Sequence, residues 1–330
     1  MISLPTNDKG KRTWLYIISA AYIILLSYLI TKEDYWGFLI PGVVVLAGMF
    51  LLSLDWVWFL AVITTPFAVN IQNFDMGVGV SLPSEPLMFG LLVVFLLKLL
   101  YERFYDNKIL RHPLTVIIII QLVWMTIVSL TSEIPLVSLK YMISRIWFVV
   151  PFFFMGVLIF RKQITISRFI WAYGIPLAVI VIITTIKHAS FGFSEKTGHW
   201  IMTPFYNDHT AYGAILAMMI PPFTVLAFHK SQKKSLRVLS IGILMILALG
   251  LFLSYSRAAW IGTIAGALTA IIVWLRIKFR WILLSVFSIL AIFFAFQHQI
   301  LDRLEKNKQD SSANFVEHVR SISNISSDAS

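Results

Sequence analysis

Apolar residues run through this chain in long blocks, and polar or charged residues are confined to the gaps between them. Eleven blocks can be delimited, at approximately 13–30, 36–53, 55–69, 86–100, 113–131, 141–160, 168–187, 208–228, 238–254, 258–275 and 281–299. Most approach the roughly 20 residues that an α-helix needs to cross the hydrocarbon core of a bilayer. The stretch 36–69 exceeds the usual upper limit of about 25 residues for one span, so Ser53-Leu54-Asp55 reads as the turn of a hairpin. The first block is too long for the core of a cleavable signal peptide and lacks a small-residue cleavage site, so it is expected to stay as a span. The pattern therefore predicts an all-α fold, a polytopic transmembrane helix bundle of about eleven spans over residues 1–299.

From residue 300 to 330 the pattern changes abruptly to polar. Phe315, Val316, Val319, Ile322 and Ile325 recur there at helical spacing, behind Ser311 and Ser312, and predict a surface helix capped at one of those serines. The segment reads as the opening of an outward-facing loop, and the protein is expected to continue past Ser330.

The placement of charge gives an orientation. Of the 27 lysines and arginines, 17 fall on one side of the predicted bundle, in the N-terminal tail and in the regions 98–111, 161–168, 230–237 and 276–280. Short loops rich in Lys and Arg face the cytoplasm, so the N-terminus is predicted inside and residues 300–330 outside. Two outward loops are then longer than a turn requires, 70–85 and 188–207. Binding residues concentrate on loops held by a rigid scaffold, so function is expected on that face.

Composition agrees with the pattern. The chain is 58% hydrophobic and 13% charged, with a mean hydropathy of +0.83. Soluble domains carry about 25% charged residues, so a soluble enzyme is excluded. The net charge of +11 is accounted for by loop orientation, and nucleic acid is not expected as a partner. There is no cysteine, which excludes disulfides, thiolate catalysis and cysteine-ligated metal. Phosphate-loop, HExxH, GxSxG, dinucleotide and Asp-x-Asp motifs are all missing, and neither a metal nor a cofactor is expected. All 16 acidic residues lie in loops or at span edges. A coupled carrier usually keeps a carboxylate inside its bundle, which argues against a lipid or sugar transporter or flippase.

Candidate chemistry gathers at the predicted outer ends of three spans. In Ser254-Tyr255-Ser256-Arg257-Ala258-Ala259-Trp260, Arg257 is the only charge between Arg237 and Arg276. It is either an interfacial anchor beside Tyr255 and Trp260, or a guanidinium fork for a phosphate or diphosphate with Ser256 beside it. Behind it Ala258, Gly262, Gly266 and Ala270 place a small residue at every fourth position, which predicts close approach of a neighbouring helix. Lys140 and Arg145 mark the outer end of the sixth span and could supply a second cation, or simply snorkel to the headgroups. In Tyr206-Asn207-Asp208-His209-Thr210-Ala211-Tyr212-Gly213, Asp208 or Asn207 can cap the eighth span, while His209 could act as a general base or hold a sugar hydroxyl.

Ser256-Arg257-Ala258-Ala259-Trp260 after an apolar run resembles the signature of O-antigen ligases and the related O-antigen polymerases. The stretch Asn207 to Gly213, followed by a helix containing Pro221-Pro222, and Ser84-Glu85-Pro86 at the fourth span, are similar to that superfamily as well. The resemblance implies a bundle of about twelve spans in the cytoplasmic (inner) membrane, interrupted by a large outward loop. It implies transfer of a glycan from an undecaprenyl-diphosphate carrier to a lipid or glycan acceptor, without a metal. It further implies that Arg257 holds the diphosphate and that a loop histidine activates the acceptor. His318 lies in the corresponding segment, and a better match is expected beyond Ser330. Together the residues and the resemblance predict a glycosyltransferase of ligase or polymerase type, with Asp208 and His209 as catalytic candidates and Arg257, Arg145, Lys140 and Ser256 on the diphosphate.

Overall fold

The computed structural model describes residues 8–71, 80–102, 106–161, 163–229, 232–297 and 299. The expected surface helix near 311–325, and His318, lie outside the described residues. In chain order the helices are α1 (Asp8–Thr31), α2 (Ile40–Leu52), α3 (Leu54–Thr64), α4 (Ser84–Glu102), α5 (Asn107–Leu110), α6 (Pro113–Leu130), α7 (Pro135–Val149), α8 (Gly156–Ile159), α9 (Gln163–Ala189), α10 (Glu195–Gly198), α11 (His209–Phe228), α12 (Lys234–Phe252), α13 (Arg257–Trp274) and α14 (Phe279–Ala295). The fold is all-α, in keeping with a polytopic membrane helix bundle. A helix stands at each of the eleven predicted positions.

Seven stretches are long and apolar enough to cross a membrane by length and composition: Ser84–Tyr101, Pro113–Leu130, Val137–Ile159, Ile164–Ala189, His209–Phe228, Lys234–Phe252 and Arg257–Trp274. Of the remaining four positions, those within Gly37–Leu52, Leu54–Phe67 and Phe279–Ala295 hold shorter apolar helices, and the first is occupied by the apolar stretch Tyr16–Thr31 of α1. Large apolar side chains cover the outsides of α6, α13 and α14. Such a surface suits lipid, because helices leave no backbone polar group unsatisfied within it.

Local chemistry sets the ends. Ser53 breaks the second block with an extended backbone, φ −160° and ψ 102°, as the hairpin reading requires. Pro113 and Pro135 open α6 and α7, where a missing N–H costs nothing. Between α7 and α8 the chain widens into a π-helical turn, Val150–Met155, that contains Pro151. Proline cannot donate the regular helical hydrogen bond, which is one recognised cause of such a turn. The Pro151 carbonyl accepts instead from the buried Trp58 indole at 2.9 Å.

The chain divides into two compact units, residues 1–58 with 89–151, and 59–88 with 152–330. In the first unit, α6 and α7 form a hairpin tied by serines: Ser129 Oγ donates to the Ser138 carbonyl at 3.3 Å, and Ser138 Oγ to Ser132 Oγ at 2.7 Å. Gly90 of α4 seats the Phe50 ring so closely that a Cβ there would stand 2.6 Å from Phe50 Cζ.

The second unit is built on α11, which packs against α9, α12 and α13. Its core includes Leu177 and Val181 of α9, Leu216, Met219 and Phe223 of α11, and Leu247 of α12. Ile201 and Met202 reach this core from the loop after α10, so that loop is anchored by apolar side chains. A two-stranded antiparallel hairpin in the same unit was not foreseen in the loop 70–85: β1 (Val69–Ile71) pairs with β2 (Val80–Leu82), with Asn70 opposite Ser81.

One packing expectation needs correction. A Cβ added to Gly262 would meet nothing within 4 Å, and one added to Gly266 would meet only Pro221 Cγ, at 3.8 Å. The face of α13 that packs runs through Ser256, Ala259, Thr263 and Gly266, whereas Ala258, Gly262 and Ala270 are exposed. The glycine that permits close approach lies on the other helix. A Cβ added to Gly213 of α11 would stand 2.8 Å from Ala259 Cβ and 2.9 Å from Ser256 Cβ.

Candidate functional site

Gly213 is one turn into α11, and Ser256 is the N-cap of α13, so their contact brings the N-terminal turns of the two helices together. Both ends are capped by side chains. Asp208 has an extended backbone, and its Oδ1 accepts from the Ala211 N–H at 2.8 Å. Ser256 Oγ accepts from the Ala259 N–H at 3.4 Å. The buried Ser254 supports this turn, with its Oγ donating to the Leu251 carbonyl at 2.8 Å and accepting from the Ser256 N–H at 3.3 Å. Helix N-termini carry roughly half a positive charge each, which favours anions. His209 is the first residue of α11 and Arg257 the first of α13, and both are half-buried.

The loop 188–207 closes over this end of the unit. Ser194 caps α10, accepting from the Thr197 N–H at 3.4 Å. Lys187, in the last turn of α9, donates to the carbonyls of Thr203 at 3.2 Å and Ile201 at 3.5 Å, and lies 5.5 Å from the Trp200 ring centre. The exposed His199 stacks on His209, with ring centroids 4.2 Å apart and planes 16° from parallel.

Tyr255 joins the loop to the α12–α13 turn. Its hydroxyl donates to the Phe193 carbonyl at 3.0 Å, across 62 residues of chain. Its ring faces the buried His188, whose Nε2 lies 3.0 Å from the Ser194 carbonyl. The backbone of Tyr255 is left-handed, with φ 49°. That conformation costs a non-glycine residue about 1–2 kcal/mol and persists where the surroundings fix it. Burial, and then the Glu195 carboxylate, push the Tyr255 phenol above its ordinary value of 10, so it is a neutral donor at physiological pH.

Of the six residues singled out from sequence, the structure gathers four, His209, Asp208, Ser256 and Arg257, at the paired ends of α11 and α13. Asp208 and Ser256 engage their side chains in caps. Lys140 and Arg145 belong to the first unit, on α7. Lys140 is half-buried, with its carbonyl accepting from Ser144 Oγ at 2.7 Å, and Arg145 is exposed. His199 and His188 were not assigned a role from sequence, and Tyr255 only that of an aromatic neighbour in the interfacial-anchor reading of Arg257. Their only sequence signal was membership of the long loop and of the Ser-Tyr-Ser-Arg turn. Among the described residues no three His, Asp or Glu side chains gather as a metal site.

These features describe a multi-helix membrane protein with a helix-capped candidate site, led by His209 and Arg257, at one end of its second unit. Residues 242–327 match the family model described as O-antigen ligase, consistent with an O-antigen ligase superfamily member. The matched stretch includes α13 and the whole Ser256–Trp260 segment that carried the resemblance. It supports a function of ligase or polymerase type on lipid-linked glycans. No curated protein and no solved structure matches the chain.

Proposed function

We propose that this protein is a glycosyltransferase of the O-antigen ligase type in the cytoplasmic membrane. It moves a glycan from an undecaprenyl-diphosphate carrier to a lipid or glycan acceptor at the outer face. The observation that carries the reading is the meeting of the N-terminal turns of α11 and α13, led by His209 and Arg257 and set by Gly213 against Ser256 and Ala259. Two helix N-termini and a guanidinium are what a diphosphate leaving group calls for, since they stabilise charge that develops in the transition state.

In this reading the acceptor hydroxyl attacks the anomeric carbon of the donor sugar. The new carbon–oxygen bond forms as the bond to the diphosphate oxygen breaks, and undecaprenyl diphosphate leaves with the electron pair. Arg257 neutralises that leaving group. His209 accepts the hydroxyl proton through its imidazole. Asp208 holds the first turn of α11, and so His209, by capping it. Ser256 does the same for Arg257 on α13. A polymerase would use the same donor chemistry with a second lipid-linked glycan as acceptor.

The test is the full-length protein in proteoliposomes with an undecaprenyl-diphosphate-linked glycan and a candidate acceptor. Covalent transfer with release of undecaprenyl diphosphate is expected. Movement of the intact donor across the bilayer, with no bond cleaved, would reject the reading.

A further inference from the structure

We infer that Tyr255 is a positioning residue for Arg257, fixing the turn that carries the guanidinium to the loop 188–207, with Gly198 as the seat for its ring. The inference rests on the reading of Arg257 as the diphosphate ligand. Only Ser256 separates Tyr255 from Arg257, and it is buried and committed to the cap of α13. Whatever fixes Tyr255 therefore fixes the first residue of that helix.

Three independent contacts fix it. The hydroxyl donates to the Phe193 carbonyl at 3.0 Å. One edge of the ring lies over Gly198, where an added Cβ would stand 2.6 Å from Cδ2 and 3.1 Å from Cε2. The ring also meets the His188 imidazole, with centroids 6.2 Å apart and planes at 76°. The residues that receive Tyr255 are themselves held. Ser194 caps the short helix that ends in Gly198, and His188 is buried against Phe193 with its Nε2 at the Ser194 carbonyl. Phe193 and Tyr255 both have positive φ, 53° and 49°. Such backbones persist only where the surroundings fix them, so both partners of the hydrogen bond are held in place, as a positioning role requires.

The consequence is that the loop and the Ser-Arg turn act as one piece. Loosening the loop should weaken the grip on a diphosphate even though no loop residue needs to touch it. A single neutral hydrogen bond contributes enough to alter an equilibrium about 2- to 10-fold.

The experiment uses the full chain in nanodiscs of phosphatidylethanolamine and phosphatidylglycerol, with geranylgeranyl diphosphate as the probe. Its dissociation constant is measured for wild type, Tyr255→Phe, Gly198→Ala, Arg257→Ala and the double variant Tyr255→Phe/Arg257→Ala. A parallel series with Lys196→Cys reads loop mobility from the rate of maleimide labelling. Tyr255→Phe and Gly198→Ala are expected to weaken binding about 5-fold and to speed labelling. Arg257→Ala is expected to weaken binding further with labelling unchanged, and the double variant to bind no worse than Arg257→Ala alone. Tyr255→Phe binding as wild type does, or weakening the Arg257→Ala background by the same factor, would overturn the positioning role and leave the donor site standing. Wild-type binding by Arg257→Ala would overturn the donor site, and the positioning role with it.

Discussion

Gly213 and Ala259 approach so closely that a Cβ on the glycine would stand 2.8 Å from the alanine Cβ. This contact, more than any glycine stripe on α13, sets the spacing of the two helix ends where the candidate site lies. Neither neighbour can give way. Ala259 Cβ is itself buried and fixed to the helix backbone, and Ser256 Cβ, at 2.9 Å, belongs to the cap.

Gly213→Ala should therefore force the helices apart. Overpacking of this kind costs about 1–3 kcal/mol, beyond what alanine gains in helix propensity. The expected outcome is a lower melting temperature in detergent together with weaker binding of a prenyl diphosphate. Gly262→Ala, on the open face of α13, is the control and should leave binding unchanged and the melting temperature unchanged or raised.

Asp208 separates two roles cleanly. Asparagine caps a helix about as well as aspartate, whereas alanine loses the cap at a cost of about 1 kcal/mol. If Asp208 serves through its bond to the Ala211 N–H, Asp208→Asn keeps most of the transfer rate and Asp208→Ala lowers stability and rate together. A collapse of transfer in Asp208→Asn at full stability would make the carboxylate a proton carrier instead.

Sidedness follows from the placement of 17 of the 27 basic residues. The chain has no cysteine, so a single introduced one reports without background. Lys196→Cys, in the loop 188–207, should react with an impermeant maleimide added to intact cells, and Lys234→Cys, at the start of α12, should not. The reverse pattern would invert the topology and place the site on the cytoplasmic face.

The helices were legible because lipid demands long apolar runs whose ends are marked by charge, and every run became a helix. Even the break at Ser53 was visible as a polar residue between two runs too long for one span. Two helices fell short of a full span because run boundaries in sequence include residues that the structure spends on 3-10 turns, Trp36–Leu39 before α2 and Thr65–Phe67 after α3. The pair Asp208–His209 and the pair Ser256–Arg257 were legible as helix starts, because capping chemistry is local. Their meeting was not, since it depends on Gly213 being the residue opposite Ser256. The same holds for Tyr255, whose partner lies 62 residues away. The stripe at 258, 262, 266 and 270 misled because four-residue spacing fixes a common face but not which face is packed. The hairpin β1–β2 was hidden because three-residue strands are too short for alternation to register.

The central claim is that Arg257 binds the diphosphate of the lipid donor through a guanidinium fork. The direct measurement is glycan transfer by Arg257→Lys and Arg257→Ala in the full-length protein at matched membrane levels. An ammonium keeps the charge but loses the bidentate geometry, so both variants should fall, by about 10²–10³ in rate if the contact belongs to the transition state. A residue that merely anchors the helix end would behave otherwise, because lysine snorkels to the headgroups as arginine does. Transfer near the wild-type rate by both variants would contradict the account.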